Sequence, residues 1–294
     1  MTTAEKPSPI GPAPAGDASA IARDALTPNA RSALGPLAGE TPDVMTLHTR
    51  EAHQMFTGRA ADAVTEVWAI PGGRRFAAVL KGIWYLSAND NPYADWILIR
   101  TYQALAGIRK QMDQAIETRE AEFERLRRKG FALSVLASRS PVTVELGFRS
   151  PYGYAMADAI VEFDYHVRMV KTLVLKDRMS DKAGKADIRQ VGHRLRALFL
   201  EPIRWERNLL REEMLPLSRR DFLPGADEAA RQRVRAAVAL FGEVPRKVFT
   251  GEEAPRHSQR RIKPTAAELR LMQQVSLGTD AGFESPAASE GQLL

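Results

Sequence analysis

Between Ser140 and Arg149 apolar and polar residues alternate. Val142, Val144, Leu146 and Phe148 fall on one face, and Thr143, Glu145, Gly147 and Arg149 on the other, the period of two that a β-strand imposes. Elsewhere the spacing is helical. Phe76, Val79, Leu80, Ile83 and Trp84 predict a helix from Arg75. Trp96, Ile99, Leu105, Ile108, Met112, Ile116, Phe123 and Leu126 predict the longest element, Pro92 to Lys129. Tyr154, Met156, Ile160, Phe163, Val167, Val170 and Val174 mark a helix to about Arg178. Ile188, Val191, Leu195, Leu198 and Phe199 mark another, capped at Ser180-Asp181 and kinked or interrupted at Pro202. A turn and a last helix lie between Asp221 and Gly242. One strand among helices has no neighbour in sequence to pair with, so it needs a distant segment or a second copy of the chain.

Punctuation refines the boundaries. Order begins near Met45 with a short helix through Phe56, which Gly58 can end. Ile70-Pro-Gly-Gly73 is a turn, and Asn91 precedes a proline suited to the first turn of the long helix. Phe131–Ala137 reads equally as a short strand or a helical turn. Residues 1–40, rich in Pro, Ala, Gly, Ser and Thr, read as a disordered tail with one helical turn at Ile21–Leu26, and residues 252–294 as a mostly disordered C-terminal tail. The single helical domain is therefore expected over 41–251, with a strand-helix-helix unit at 139–211.

Charge and composition narrow the function. The formal net charge is +6, and residues 41–251 carry 34 Lys/Arg against 26 Asp/Glu, so the excess belongs to the folded body and suits a polyanionic partner. Residues 139–211 hold 14 of those cations against 9 acids. The absence of cysteine excludes disulfides, thiolate metal sites and cysteine nucleophiles. Residues 1–40 lack the apolar core of a secretory signal, and no run is apolar enough to span a bilayer, so a cytoplasmic protein is expected.

No phosphate-binding glycine loop, zinc-protease helix or serine-hydrolase elbow occurs in the sequence. His48 and His53 are five apart, about 140° around a helix, which spoils shared metal ligation. His166 and His193 stand alone on helices. Asp90-Asn-Pro-Tyr-Ala-Asp-Trp96 looks motif-like, yet a helix start with acids near its positive end and aromatics for the core accounts for it. Trp68, Trp84, Trp96 and Trp205 read as packing anchors. No catalytic residues, metal or cofactor are expected, and the chain does not read as an enzyme.

A strand followed by two helices is the order of a ribbon-helix-helix unit, in which strands of two chains pair and their outward residues enter the major groove. The outward set here is Thr143, Glu145 and Arg149, with Arg139 at the approach. Phosphates would fall to Lys182, Lys185 and Arg189 around the start of the second helix. Two features oppose this reading. Glu145 would have to accept from a cytosine amine, and the first helix is longer than such a unit needs. The alternative is a mostly helical domain whose strand pairs within the chain, with Phe131–Ala137 as partner.

Met45-Thr-Leu-His-Thr-Arg50, Phe56-Thr-Gly-Arg59, Asn91-Pro-Tyr-Ala-Asp-Trp96 and Phe148-Arg-Ser-Pro-Tyr-Gly-Tyr154 together resemble the signature blocks of a family encoded on integrating conjugative elements and grouped with AcaB-type transcriptional regulators. The resemblance spans roughly Met45 to Gly251. It implies a cytoplasmic bacterial regulator of conjugation genes, similar to ribbon-helix-helix activators. The combined expectation is a mainly α protein with a short β-strand, a homodimer that binds double-stranded DNA and neither membrane nor small-molecule substrate. A non-catalytic accessory or scaffold protein of the conjugation machinery is the second reading.

Overall fold

The computed structural model describes residues 39, 41–61, 68–258, 260–261, 264–275 and 277; the expected N-terminal tail with its turn at Ile21–Leu26, and the end of the C-terminal tail, fall outside them. The elements run β1 (Val44–Leu47), α1 (Arg50–Thr57), α2 (Gly73–Ala88), α3 (Pro92–Arg128), β2 (Val142–Glu145), α4 (Pro151–Leu175), α5 (Asp181–Leu209), a 3-10 turn (Arg219–Phe222), α6 (Glu228–Phe241), α7 (Arg246–Thr250) and α8 (Ala266–Gln274). Helices α2 to α5 pack against one another around one apolar core. No helix among the described residues is long and apolar enough to cross a membrane.

Helix α3 changes character along its length. Its first eight residues, Pro92–Ile99, are all buried, whereas its second half buries only the stripe Met112, Ile116 and Phe123. Asn91 caps it, its side-chain oxygen accepting from the amides of Tyr93 and Ala94 at 3.0 and 3.1 Å. Helix α5 runs unbroken through Pro202, which is buried, so packing compensates the hydrogen bond a mid-helix proline forfeits.

The strand finds its partner within the chain. β2 pairs antiparallel with β1, Met45 opposite Val144 and Thr46 opposite Thr143, and Leu146 N–H donates to Asp43 O at 2.7 Å. Two expectations are corrected here. The edge of β2 that was assigned to a second copy is taken by residues 44–47, and these are a strand rather than the opening of a helix. The reason is visible in burial: Met45 and Leu47 face the core while Val44 and Thr46 face out, a period of two too short to stand out in sequence. The helix begins only at Arg50, capped by Thr49, and ends at Gly58, whose φ of 76° and close approach to Gly72 leave no room for a Cβ. Phe131–Ala137 is neither strand nor helix. Side chains of α4 hold it at Leu136, whose N–H donates to Thr172 Oγ1 at 2.9 Å and whose carbonyl accepts from Arg168 Nε at 2.7 Å.

Order also continues past the boundary expected at 251. Helix α8 buries Met272, and Trp84 Nε1 donates to His257 O at 2.9 Å. The motif-like block around Asn91 explains why. Arg219, 1% exposed, meets Asp90 and Asp95 at 2.8 Å each and donates to the carbonyls of Val248 and Phe249. Arg260 reaches the same two carboxylates at 3.2 and 2.7 Å. Burial pushes the Asp90 carboxyl up against the opposing pull of the two guanidiniums. The block is thus a buried ionic junction joining the start of α3 to the C-terminal segments.

Candidate nucleic-acid interface

The two-stranded ribbon turns one face to solvent. Val44 and Thr46 of β1 and Thr143 and Glu145 of β2 are exposed and lie side by side, Val44 opposite Glu145 and Thr46 opposite Thr143. The opposite face rests on the bundle through Met45, Leu47 and the half-buried Val144. Arg139 and Arg149 flank β2 before and after, both exposed. A ribbon of four residues per strand spans about 13 Å. A major groove about 12 Å wide and 8.5 Å deep admits such a ribbon.

Asp164, buried on α4, sets the position of the ribbon. Its Oδ1 accepts from His48 N–H at 3.0 Å, Thr49 N–H at 2.8 Å and the Thr49 hydroxyl at 2.8 Å, so the junction of β1 and α1 hangs on one carboxylate. His48 Nδ1 accepts in turn from Ser138 N–H at 3.2 Å, tying down the approach to β2. His48 therefore acts structurally at the start of α1. Among the described residues no cluster of three or more His, Asp or Glu is placed to hold a metal.

Lys182, Lys185 and Arg189 are exposed on the first turns of α5. Helix α5 runs back along α4, Gly184 beside Val174 and Gly192 beside Phe163, so Lys182 lies near the end of the bundle while Lys185 and Arg189 border α1 with Glu51 and Met55. The structure thus gathers the expected contacts into two groups, Arg139, Thr143, Glu145 and Arg149 at the ribbon, and Lys182, Lys185 and Arg189 along the first turns of α5. Lys185 is partnered by Asp181 at 2.6 Å, both well exposed, a pair that water screens. Helix α1 and the residues around Ser138 lie between the two groups.

The second group is larger than the sequence suggested. Arg109 meets Glu162, Arg119 meets His166, and Phe123 packs with Met169 and Leu173, so α3 and α4 run parallel and end together. The exposed Arg125, Arg127, Arg128 and Lys129 at the end of α3 therefore join Lys176 and Arg178 after α4 and the cations of α5. Those α3 residues look in sequence like ordinary helix-end cations. Only the parallel arrangement, forced by the long crossover through β2, brings them to α5.

A buried junction holds this end rigid. Arg119 donates to His166 Nδ1 at 3.0 Å and to Asp187, and His166 Nε2 stands 3.6 Å from Asp187. The imidazole of His166 close by and the guanidinium of Arg119 keep the Asp187 carboxyl below its ordinary range, outweighing burial. Asp187 faces α3 from the side of α5 opposite Lys185 and Arg189, since residues two apart on a helix are about 200° apart, so the junction anchors α5 without touching the face that carries them.

The family model described as transcriptional regulator AcaB matches residues 33–261 of this chain. Among solved structures the chain is similar to a crystal structure of selenomethionine-containing AcaB from uropathogenic E. coli, with 15% identity, 79% of this chain and 97% of that chain covered, and a TM-score of 0.42. No curated protein matches it.

Proposed function

Since the chain belongs to the AcaB family of transcriptional regulators, we propose that it is a homodimeric, sequence-specific DNA-binding regulator of an integrating conjugative element, acting in the cytoplasm. The observation that carries this reading is the exposed ribbon face of Thr46, Thr143 and Glu145 flanked by Arg139 and Arg149, a set no packing requirement explains. Thr46 and Thr143 can donate to or accept from base edges, and Glu145 can accept from a cytosine amine. Arg139 and Arg149 position the ribbon on phosphates beside it, while Lys182, Lys185, Arg189 and the cations ending α3 hold the backbone further along. In this reading the ribbon-helix-helix arrangement takes a modified form. Each chain supplies its own two-stranded ribbon, and the second edge of β2 is where a partner copy adds its ribbon to make a four-stranded sheet.

The exposed Val44 and Val142, at 53% and 45%, favour a second reading in which the ribbon pairs with another protein of the conjugation machinery and the chain is a scaffold. One experiment separates the two. Binding to a promoter-containing fragment of the element and to an unrelated duplex is titrated with salt, with light scattering for mass. A dimer that keeps its preference as salt rises supports the regulator, and Thr143→Ala or Glu145→Ala then changes that preference by about 1–3 kcal/mol. Equal binding to both duplexes, or none, sinks the regulator.

A further inference from the structure

A cavity of about 600 Å³ opens between α1, α4 and α5, next to the basic end of the bundle. Its floor is apolar and well buried: Met55, Phe163 and Val170 are at most 2% exposed, and Val174 and Ile188 close the sides. Its rim is cationic. Lys171, Lys185, Arg189 and Arg196 surround the mouth, against Glu51 and Asp181. Each of these acids already holds one lysine, Glu51 with Lys171 at 2.8 Å and Asp181 with Lys185 at 2.6 Å, which leaves the two arginines to meet an incoming charge. Leu136 and Leu175 stand exposed at the entrance. Two glycines of α5 border the space: Gly184, where a Cβ would strike Val174 at 2.6 Å, and Gly192, where a Cβ would just touch Met55 and Phe163 at 3.5 Å.

We infer that this cavity binds a small amphipathic carboxylate, an acidic head on a hydrocarbon body, as an effector. Size sets the class, because the volume lies within the roughly 300–1,000 Å³ of small-ligand pockets and is too small for a docked helix or a second copy of the domain. Polarity sets the chemistry. Predominantly apolar walls favour hydrocarbon, and two arginines at the mouth with no acidic partner among the described residues favour one carboxylate. The seat touches Glu51 and Met55 of α1, a helix that begins two residues after β1, so an occupant bears on the element from which the ribbon hangs.

Titration calorimetry of the full chain with decanoate, kept below its micelle concentration, tests this without DNA and so independently of the regulatory reading. Decanol and decyltrimethylammonium serve as neutral and cationic controls. The expected result is saturable binding of one decanoate per chain, at least about tenfold tighter than either control. Gly192→Leu, which raises helix propensity while filling the floor, should abolish it. The pair Arg189→Gln and Arg196→Gln should weaken decanoate about tenfold or more and leave decanol unchanged, and carries the test should the leucine variant melt early. Binding that is equal for decanol, exceeds one per chain, or is indifferent to both variants overturns the inference. So does a light-scattering mass that falls on Gly192→Leu, since the cavity would then be an interface between copies.

Discussion

At the scale of single residues the buried ions are the most exposed to test. Arg219 is surrounded by two carboxylates and three carbonyls, those of Asp90, Val248 and Phe249, with almost no water. Removing it leaves Asp90 and Asp95 to the partly exposed Arg260, and Arg219→Ala should cost about 3–5 kcal/mol in urea unfolding. Arg219→Met combined with Asp90→Asn and Asp95→Asn should cost less, because the one charge of the junction then left without a carboxylate, on Arg260, is partly exposed to water. If the single and triple variants unfold alike, the junction is packing rather than charge. Asp187 gives a pH test. Its carboxyl sits below the ordinary value of 3.8 in the folded state, so the stability it contributes is complete above that value and is lost as the pH falls through its folded pKa. Asp187→Asn should lower stability at neutral pH and flatten the acid limb of the stability curve. An unchanged acid limb would show that Asp187 is not linked to folding.

At the scale of elements the ribbon decides most. Its two strands hold to the bundle through Met45 and Leu47, both nearly fully buried, so Leu47→Ala should cost about 2–5 kcal/mol. Val144→Lys puts a charge opposite Met45 and should release β2, seen as faster hydrogen exchange at residues 142–146 before any loss of the helices. Exchange that rises equally in α4 and β2 would mean ribbon and bundle unfold as one unit. The long helices and β2 were legible in sequence because each repeats its period over many residues, or, for β2, over nine. β1 was not, because four residues are too few to distinguish Met45-Thr-Leu47 from the first turn of the helix that follows. Phe131–Ala137 misled for the opposite reason: Phe131, Leu133 and Val135 alternate like a strand, yet the segment lies against α4, where Thr172 accepts from the Leu136 amide and Arg168 donates to its carbonyl. α8 lay hidden in a polar tail because a capping box at Thr265 and one buried Met272 suffice to place it. Of the expected contacts, Thr143, Glu145, Arg139 and Arg149 fall together since they are neighbours in sequence.

At the scale of the whole molecule the parallel course of α3 and α4 matters most, because it turns unrelated helix ends into one basic surface. A local reading of sequence assigns Arg127, Arg128 and Lys129 to the stabilisation of a helix C-terminus, a role worth a few tenths of a kcal/mol. If they also meet phosphates, their removal has a signature that helix stability cannot imitate. Each phosphate contact contributes about 0.9 to the slope of log affinity against log salt. Arg128→Gln with Lys129→Gln should therefore lower that slope by about 2 on promoter and unrelated duplexes alike, while the preference between them is unchanged. Thr143→Ala should do the reverse, altering preference and leaving the slope intact, since a hydroxyl displaces no counterions. The double variant removes only exposed side chains, so its melting temperature should barely move. A slope unaltered by losing both charges would place the end of α3 away from the DNA and confine binding to the ribbon and α5. A slope that falls together with the preference would instead mean that the bundle end and the ribbon engage one continuous site, with the phosphate contacts setting the register in which the strands read bases.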